Sequence, residues 1–380
     1  MWLLLLVAVV GYGADLRVSA NFSGGAIGPV QSVSPTHLRV GVPGQTDQDG
    51  RNRQASWYYF RVDGAKKGQQ IVIDLVDLPG EYNYQKNIGA ITGDTRPYWL
   101  NGKVWEEAAG DYDPKEPHWR LHFKGTGKPL YVAHLMPYTA KNLDLLRKDL
   151  KPEIEVIGKS VEGRKLELWT FDRSGGNPKA PVVWMMFRQH AWEAGTSWTG
   201  EGFLRHLPNG VIWKVQPWLD PDGVEHGGVR FNRKGYDLNR NWDSPNDVVL
   251  RPEILAQKKA MQDWLGAGKK IDFFLSVHNT EMGEYLEGPK SPLTAKLEKA
   301  LREKTIFDPS VENPSRMEIT GKTRANVAQW LWIEYQVPAH LMELRIGYSQ
   351  KRKGRANPEV WENFGTQLAR EIAGALLGEK

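Results

Sequence analysis

The sequence predicts an N-terminal antiparallel β-sandwich followed by an α/β domain whose central mixed sheet is flanked by helices. Three observations lead there. From about residue 18 to 135, strand-like runs are separated by Gly and Pro clusters at intervals typical of a sandwich. After Lys151-Pro152, strand-like and helix-like segments alternate, the pattern of an α/β sheet. Between His190 and Glu343, four short polar pieces each follow or adjoin an apolar run, and loops at the carboxyl ends of buried strands gather around one crevice.

In the first half, residues 57–62 and 70–75 read as strands divided by Asp63-Gly64 and Gly68, and 121–123 and 130–133 follow the same logic. Nothing in this half looks catalytic, and His118, His122 and His134 lack metal-ligand spacing and read as structural. Around 139–150 the period becomes helical, with Leu143, Leu146 and Leu150 on one face. Strands are then expected over 153–156, 166–171, 182–187, 211–215, 273–277 and 339–343. Helices are expected over 197–207, 254–265, 292–303, 326–335 and 358–377.

At 380 residues the chain has room for two domains. A net charge of +5 spread over 50 basic and 45 acidic residues, with no basic tail, gives no reason to expect a nucleic-acid partner. The absence of cysteine excludes disulfides and thiolate metal sites, so a zinc ion would have to be held by His and carboxylate. Sixteen tryptophans read as core and cleft packing. Residues 1–14 are apolar, too short to span a bilayer, and end in small residues. They are expected to be a cleaved secretory signal, giving a secreted or periplasmic protein with no transmembrane anchor. The cytoplasmic alternative has the same stretch as a buried first strand. The expected division is a leader at 1–14, a sandwich at 15–140 and a catalytic domain at 141–380.

The polar pieces carry the chemistry. His190 and Glu193, on one turn after an apolar strand, can aim two ligands at one point, and His278, at the end of another apolar run, can close the site while leaving a position for water. Asp237 can accept from the second nitrogen of a ligand histidine and set its tautomer. Arg240 beside Asn239 suits a substrate carboxylate, through a bidentate guanidinium and a directional amide bond. Arg230 is placed to meet a developing oxyanion, and Glu343 to serve as general base. Gly321-Lys322-Thr323 imitates the end of a phosphate loop, but Arg316 stands where its first glycine is required. No GxSxG elbow or HExxH helix occurs. His206 and His226 have no partner at ligand spacing and read as solvent-facing.

Taken together these pieces resemble the M14 zinc metallocarboxypeptidases, and within them the branch of the cytosolic carboxypeptidases and their bacterial relatives. Phe22-Ser23-Gly24-Gly25, the 57–62 run and Tyr131-Val132-Ala133 through Pro137-Tyr138-Thr139 look like that branch's β-sandwich domain. Asp220-Pro221-Asp222-Gly223-Val224 and Gly235 through Trp242 look like its catalytic signature. The resemblance implies one Zn2+ per chain on His190, Glu193 and His278, and Glu343 as catalytic glutamate. It further implies Arg240 with Asn239 as the anchor of the terminal carboxylate, and Arg230 as the carbonyl-polarising arginine. The substrate would be the C-termini of peptides or proteins. Two departures stand out. Ala191-Trp192 replaces the branch's Pro-Gly, and the tryptophan is expected to reshape the cleft. The mobile tyrosine of digestive members is missing, since no tyrosine lies between Leu286 and Ile333. Lys322 and Arg324 fall where the branch places a side-chain-selecting arginine, so a buried guanidinium preferring acidic residues is expected there. Two rivals share the same residues: an amidohydrolase cleaving N-acyl amino acids, and a non-catalytic peptide-binding relative.

Overall fold

The structure is a computed structural model that describes residues 16–87, 89–309 and 324–378. The expected leader at 1–14 and the stretch from Arg316 to Thr323, including Lys322, lie outside the described residues.

Two five-stranded sheets form the sandwich. One runs Arg17–Ser19, Tyr59–Asp63, Leu130–Ala133, Tyr98–Asn101 and Val104–Glu107. The other runs Ala109–Asp113, His118–Lys124, Gln70–Val76, His37–Gly41 and Val30–Ser34. Alternation makes these strands: in His118–Lys124, Trp119, Leu121 and Phe123 point into the core while Arg120 and His122 point out. One pair departs from the expected antiparallel order, because His37–Gly41 lies parallel to Gln70–Val76. The connection between them is long enough for a crossover, which a tight hairpin is not. Two strands of that connection, Gln45–Thr46 and Arg53–Gln54, join Gly80–Tyr82 and Gln85–Asn87, which follow Gln70–Val76, in a small four-stranded sheet on the flank facing the second domain.

The second domain is built on a seven-stranded mixed sheet in the order Glu153–Lys159, Lys165–Asp172, Ile212–Gln216, Val182–Met186, Phe273–Thr280, Ala339–Arg345 and Tyr285–Glu287. Its four central neighbours, from Ile212–Gln216 to Ala339–Arg345, are mutually parallel, so their carboxyl ends share one edge. Val182–Met186 and Phe273–Thr280 are buried along their whole length, as strands covered on both faces must be. Local chemistry sets the helix ends. Asn357 caps Pro358–Leu377, Ser291 caps Pro292–Lys304, and a capping box on Asn326 and Gln329 starts Val327–Tyr335.

The helix expected at 197 begins at Ala194 and runs to Arg205. Its first turn is made of small residues that show no apolar period, because it packs tightly. A β-carbon on Gly195 would come within 2.8 Å of Asn279 Oδ1 and 2.9 Å of Trp361 in the neighbouring Pro358–Leu377 helix. A separate apolar cluster joins the two domains and includes Trp57, Leu135, Met136, Trp192, Val229 and Ile346. Among the described residues no helix is long and apolar enough to cross a membrane.

Candidate active site

Val182–Met186 lies between Ile212–Gln216 and Phe273–Thr280, and the chain leaves it in opposite senses, which opens a crevice at its carboxyl end. The loop there carries His190 and Glu193. Arg188 takes a left-handed backbone (φ 49°), and its buried guanidinium donates to the Ala191 carbonyl (2.7 Å) and the Ser197 hydroxyl (3.0 Å), holding the loop in a tight turn. His278 is on the adjacent strand, and Glu343 is directly opposite it in the next strand's register.

His190, Glu193 and His278 are all buried, and one ligand atom from each lies within 4.8 Å of the others. Nδ1 of His190 is 2.7 Å from Glu193 Oε1, and Nδ1 of His278 is 3.1 Å from Oε2. Both imidazoles therefore turn the same nitrogen toward the carboxylate. Their other nitrogens are occupied: Nε2 of His190 meets Asp237 Oδ1 at 3.2 Å, and Nε2 of His278 meets the Ser276 hydroxyl at 2.9 Å. With the proton on Nε2, held by these partners, each Nδ1 is a lone-pair donor, the form a metal needs. Glu193 Oε2 is sealed from solvent without a well-formed hydrogen bond. A divalent cation fits this donor set of two nitrogens and a carboxylate.

The surroundings are strongly polar. Burial alone would raise Asp237, yet Arg230 and His190 hold its carboxyl well below the usual range. Arg230 donates through Nε to Asp237 Oδ2 (2.7 Å), and Asn239 N donates to Oδ1 (2.9 Å). Glu343 moves the other way, pushed up by burial and then by the Glu193 carboxylate, and its Oε2 is buried without a partner. The guanidinium of Arg240 donates to the Asn239 carbonyl (2.9 Å) and has no ion-pair partner among the described residues, while burial and the nearby Arg230 and Arg324 cations weaken its hold on the proton. Asn239 is buried, and its side-chain oxygen accepts from Val327 N (3.3 Å), which leaves the amide nitrogen for a ligand.

Arg230, Asp237, Arg240 and Arg324 line a cavity of about 270 Å³ whose opposite wall is the small sheet of the first domain, with Asp47, Arg51, Tyr82 and Asn87. This corrects the expectation that the first half stands apart from the chemistry. Its polar side chains sit on short irregular strands, and no spacing in the sequence reveals that they reach the cleft. Tyr82 lines the same cavity as Arg240, so the cleft holds a tyrosine that comes from the other domain.

Two further expectations change. Trp192 is buried among Trp57, Met136 and His134 in the domain interface, so it does not shape the cleft. Arg324 is exposed on the cavity wall before the Asn326 cap, not buried. Ser276 was missed, although the period of two along its strand places it on the face of His278. His206 and His226 are exposed, and His134 is a core residue whose burial drives its pKa down to about 3.

Comparison with known proteins agrees with this geometry. The zinc carboxypeptidase family matches residues 149–282, and the cytosolic carboxypeptidase N-terminal domain matches residues 18–134. Cytosolic carboxypeptidase 6 of Homo sapiens is 25% identical over 303 residues, covering 72% of this chain and 59% of that protein. Cytosolic carboxypeptidase 2 of Danio rerio is 26% identical over 228 residues, covering 50% and 32%. The chain thus spans between one third and three fifths of the length of these two relatives. The crystal structure of a metallo-carboxypeptidase from Burkholderia cenocepacia superposes with a TM-score of 0.79 at 19% identity, over 97% of this chain and 100% of the other. A metallo-carboxypeptidase from Pseudomonas aeruginosa, in complex with (2-guanidinoethylmercapto)succinic acid, gives 0.77 at 21%, over 96% and 99%. At these identities the structural likeness is one of fold. The second half of the chain thus matches the zinc carboxypeptidase family over residues 149–282, with a match to the cytosolic carboxypeptidase N-terminal domain in front of it.

Proposed function

We propose that this protein is a zinc-dependent carboxypeptidase that hydrolyses the last bond of peptides and proteins. The observation that carries this reading is the Arg240 guanidinium, without an ion pair among the described residues, on the wall of a cavity that also holds Arg230 and Asp237, the latter bonded to His190. A terminal carboxylate is the planar anion that a guanidinium binds bidentately, and the Asn239 amide nitrogen supplies a further donor. Zinc held by His190, Glu193 and His278 would supply Lewis acidity to the scissile carbonyl and make water acidic enough to lose a proton near neutral pH. Glu343 is the general base: it takes the proton from the attacking water and delivers it to the leaving amine. Its partnerless, buried oxygen suits a group that must bind and release a proton within one turnover. Arg230, fixed through Nε on Asp237, keeps its terminal nitrogens for the negative oxygen that develops on the carbonyl.

Amidating the C-terminus of a good peptide substrate tests the reading. The wild-type enzyme should lose most of its kcat/KM, while Arg240→Ala, already weak on the free peptide, should show little further loss. Equal cleavage of free and amidated peptides by the wild type would remove exopeptidase action. Faster cleavage of N-acyl amino acids than of peptides would favour the amidohydrolase.

The finer preference is for acidic departing residues. It rests on the cluster of Arg230, Arg240 and Arg324 in the cavity, which would attract a Glu or Asp side chain and repel Lys. Peptides ending in Glu, Leu or Lys separate the cases, and release of Lys as fast as Glu would end this preference. For location, the relatives carry the word cytosolic in their names, which favours the cytoplasmic alternative over export. Cell fractionation of the full chain tests it.

A further inference from the structure

The loop that carries Arg230 has no regular secondary structure, and its backbone is held from the other domain. Gln45, in the small sheet of the sandwich domain, places its side-chain oxygen against three consecutive amides. Val229 N is at 2.8 Å, Arg230 N at 2.8 Å and Phe231 N at 2.9 Å. Its amide nitrogen donates back to the Phe231 carbonyl. Three successive N–H groups converging on one point form a concave nest that ordinarily takes an anion or a carbonyl oxygen. Here a side chain more than 180 residues away in sequence fills it.

The loop's other restraints act at its edges. Trp192 N donates to the Val229 carbonyl (3.1 Å), and Phe231 bridges Asp237. The pair Gly227-Gly228 precedes it: left-handed Gly227 (φ 63°) caps the Pro221–His226 helix, and Gly228 N donates to the Gly223 carbonyl (2.7 Å). The two domains also meet at the turn beyond it: Gln48 N donates to the Gly235 carbonyl (3.1 Å), and a β-carbon at Gly235 would come within 2.6 Å of Gln48 N.

We infer that Gln45 is a positioning residue for catalysis: by filling the amide nest of residues 229–231 it sets where the Arg230 guanidinium points, so that the sandwich domain completes the active site through this side chain. The inference rests on the role given to Arg230 above. Without the Gln45 oxygen, the buried amides lose their acceptor and the loop must shift to find others. A guanidinium displaced by about 1 Å meets the developing oxyanion poorly, while substrate binding through Arg240 is untouched.

The test combines Gln45→Ala, Gln45→Glu, Arg230→Ala and the double variant Gln45→Ala/Arg230→Ala in the full chain. Gln45→Ala should lower kcat about 10–100-fold with KM nearly unchanged. Gln45→Glu, which keeps the acceptor oxygen, should recover part of that loss. The Gln45→Ala loss should disappear in the Arg230→Ala background, because a residue acting through another has no effect once that other is gone. Amide hydrogen exchange on the metal-free chain gives a readout independent of turnover. The 229–231 amides should exchange faster in Gln45→Ala, with the Phe273–Thr280 strand unchanged. Losses that multiply in the double variant, or faster exchange across both domains, would overturn the inference. Arg230→Ala with wild-type kcat would instead overturn the role given to Arg230, and the exchange result would still decide whether Gln45 holds the loop.

Discussion

Glu343 and Arg240 share one condition: neither makes an ion pair among the described residues. Such groups are costly in a fold unless a substrate uses them. Glu343→Gln keeps the shape and removes the proton acceptor, so zinc content and substrate affinity should persist while kcat falls about 10²–10⁴-fold. A variant within about threefold of wild type would place the base elsewhere. The three candidate ligand residues should behave differently, because each would supply one of a minimal set of donors. His190→Ala, Glu193→Ala and His278→Ala should each emerge from dialysis with little zinc by atomic absorption. Stoichiometric zinc in any one of them would remove that residue from the site. These side chains were legible in the sequence because metal ligands must be His, Glu or Asp in a chain without cysteine, and they stand directly after or within apolar runs. Arg324 was legible only as a position, because exposure depends on how the chain enters the following helix.

At the scale of elements, the Pro221–His226 helix shows how a cap near the site responds to pH. Asp220 caps it, accepting from Gly223 N at 2.8 Å, and its second oxygen is buried without a partner. Burial pushes this carboxyl up to about 8 from the ordinary 3.8. The folded protein therefore holds a proton on Asp220 that the unfolded chain releases near pH 4. The sign follows: this stabilisation is complete below the unfolded value and is lost as pH rises toward about 8. Asp220→Asn stays neutral and keeps the carbonyl acceptor, so its denaturant midpoint should fall less steeply than that of wild type between about pH 4 and 8. Parallel curves would show that Asp220 does not titrate in that window. Most element ends were readable from caps and prolines, as in the helix from Pro358, while the start at Ala194 was hidden by a glycine-rich face that packs against another helix.

Across the whole molecule, the sandwich domain and the catalytic domain act as one unit. Trp192, Val229 and Ile346 of the second domain are buried against Trp57, Leu135 and Met136, the last two at the end of the sandwich, and the cavity has walls from both sides. Residues 141–380 produced alone should expose this apolar patch, bind a hydrophobic dye and show a lower Tm than the full chain. They should also have strongly reduced kcat/KM, because one wall of the cleft leaves with the sandwich. A soluble catalytic half with full activity would show that the sandwich is dispensable to the reaction.

The order of strands and helices, the absence of thiolate chemistry and the identity of the candidate metal-ligand residues are properties of the sequence itself. They follow from periodicity, capping and residue chemistry, which act over a few positions. Which residues meet was decided only by tertiary structure. The sheet register sets His278 beside Glu343, the domain interface takes Trp192 away from the cleft, and the small sheet of the sandwich domain brings Tyr82 to the cavity and Gln45 to the loop of Arg230. Contacts between residues hundreds of positions apart depend on how two buried surfaces dock, and no local pattern along the chain records that choice.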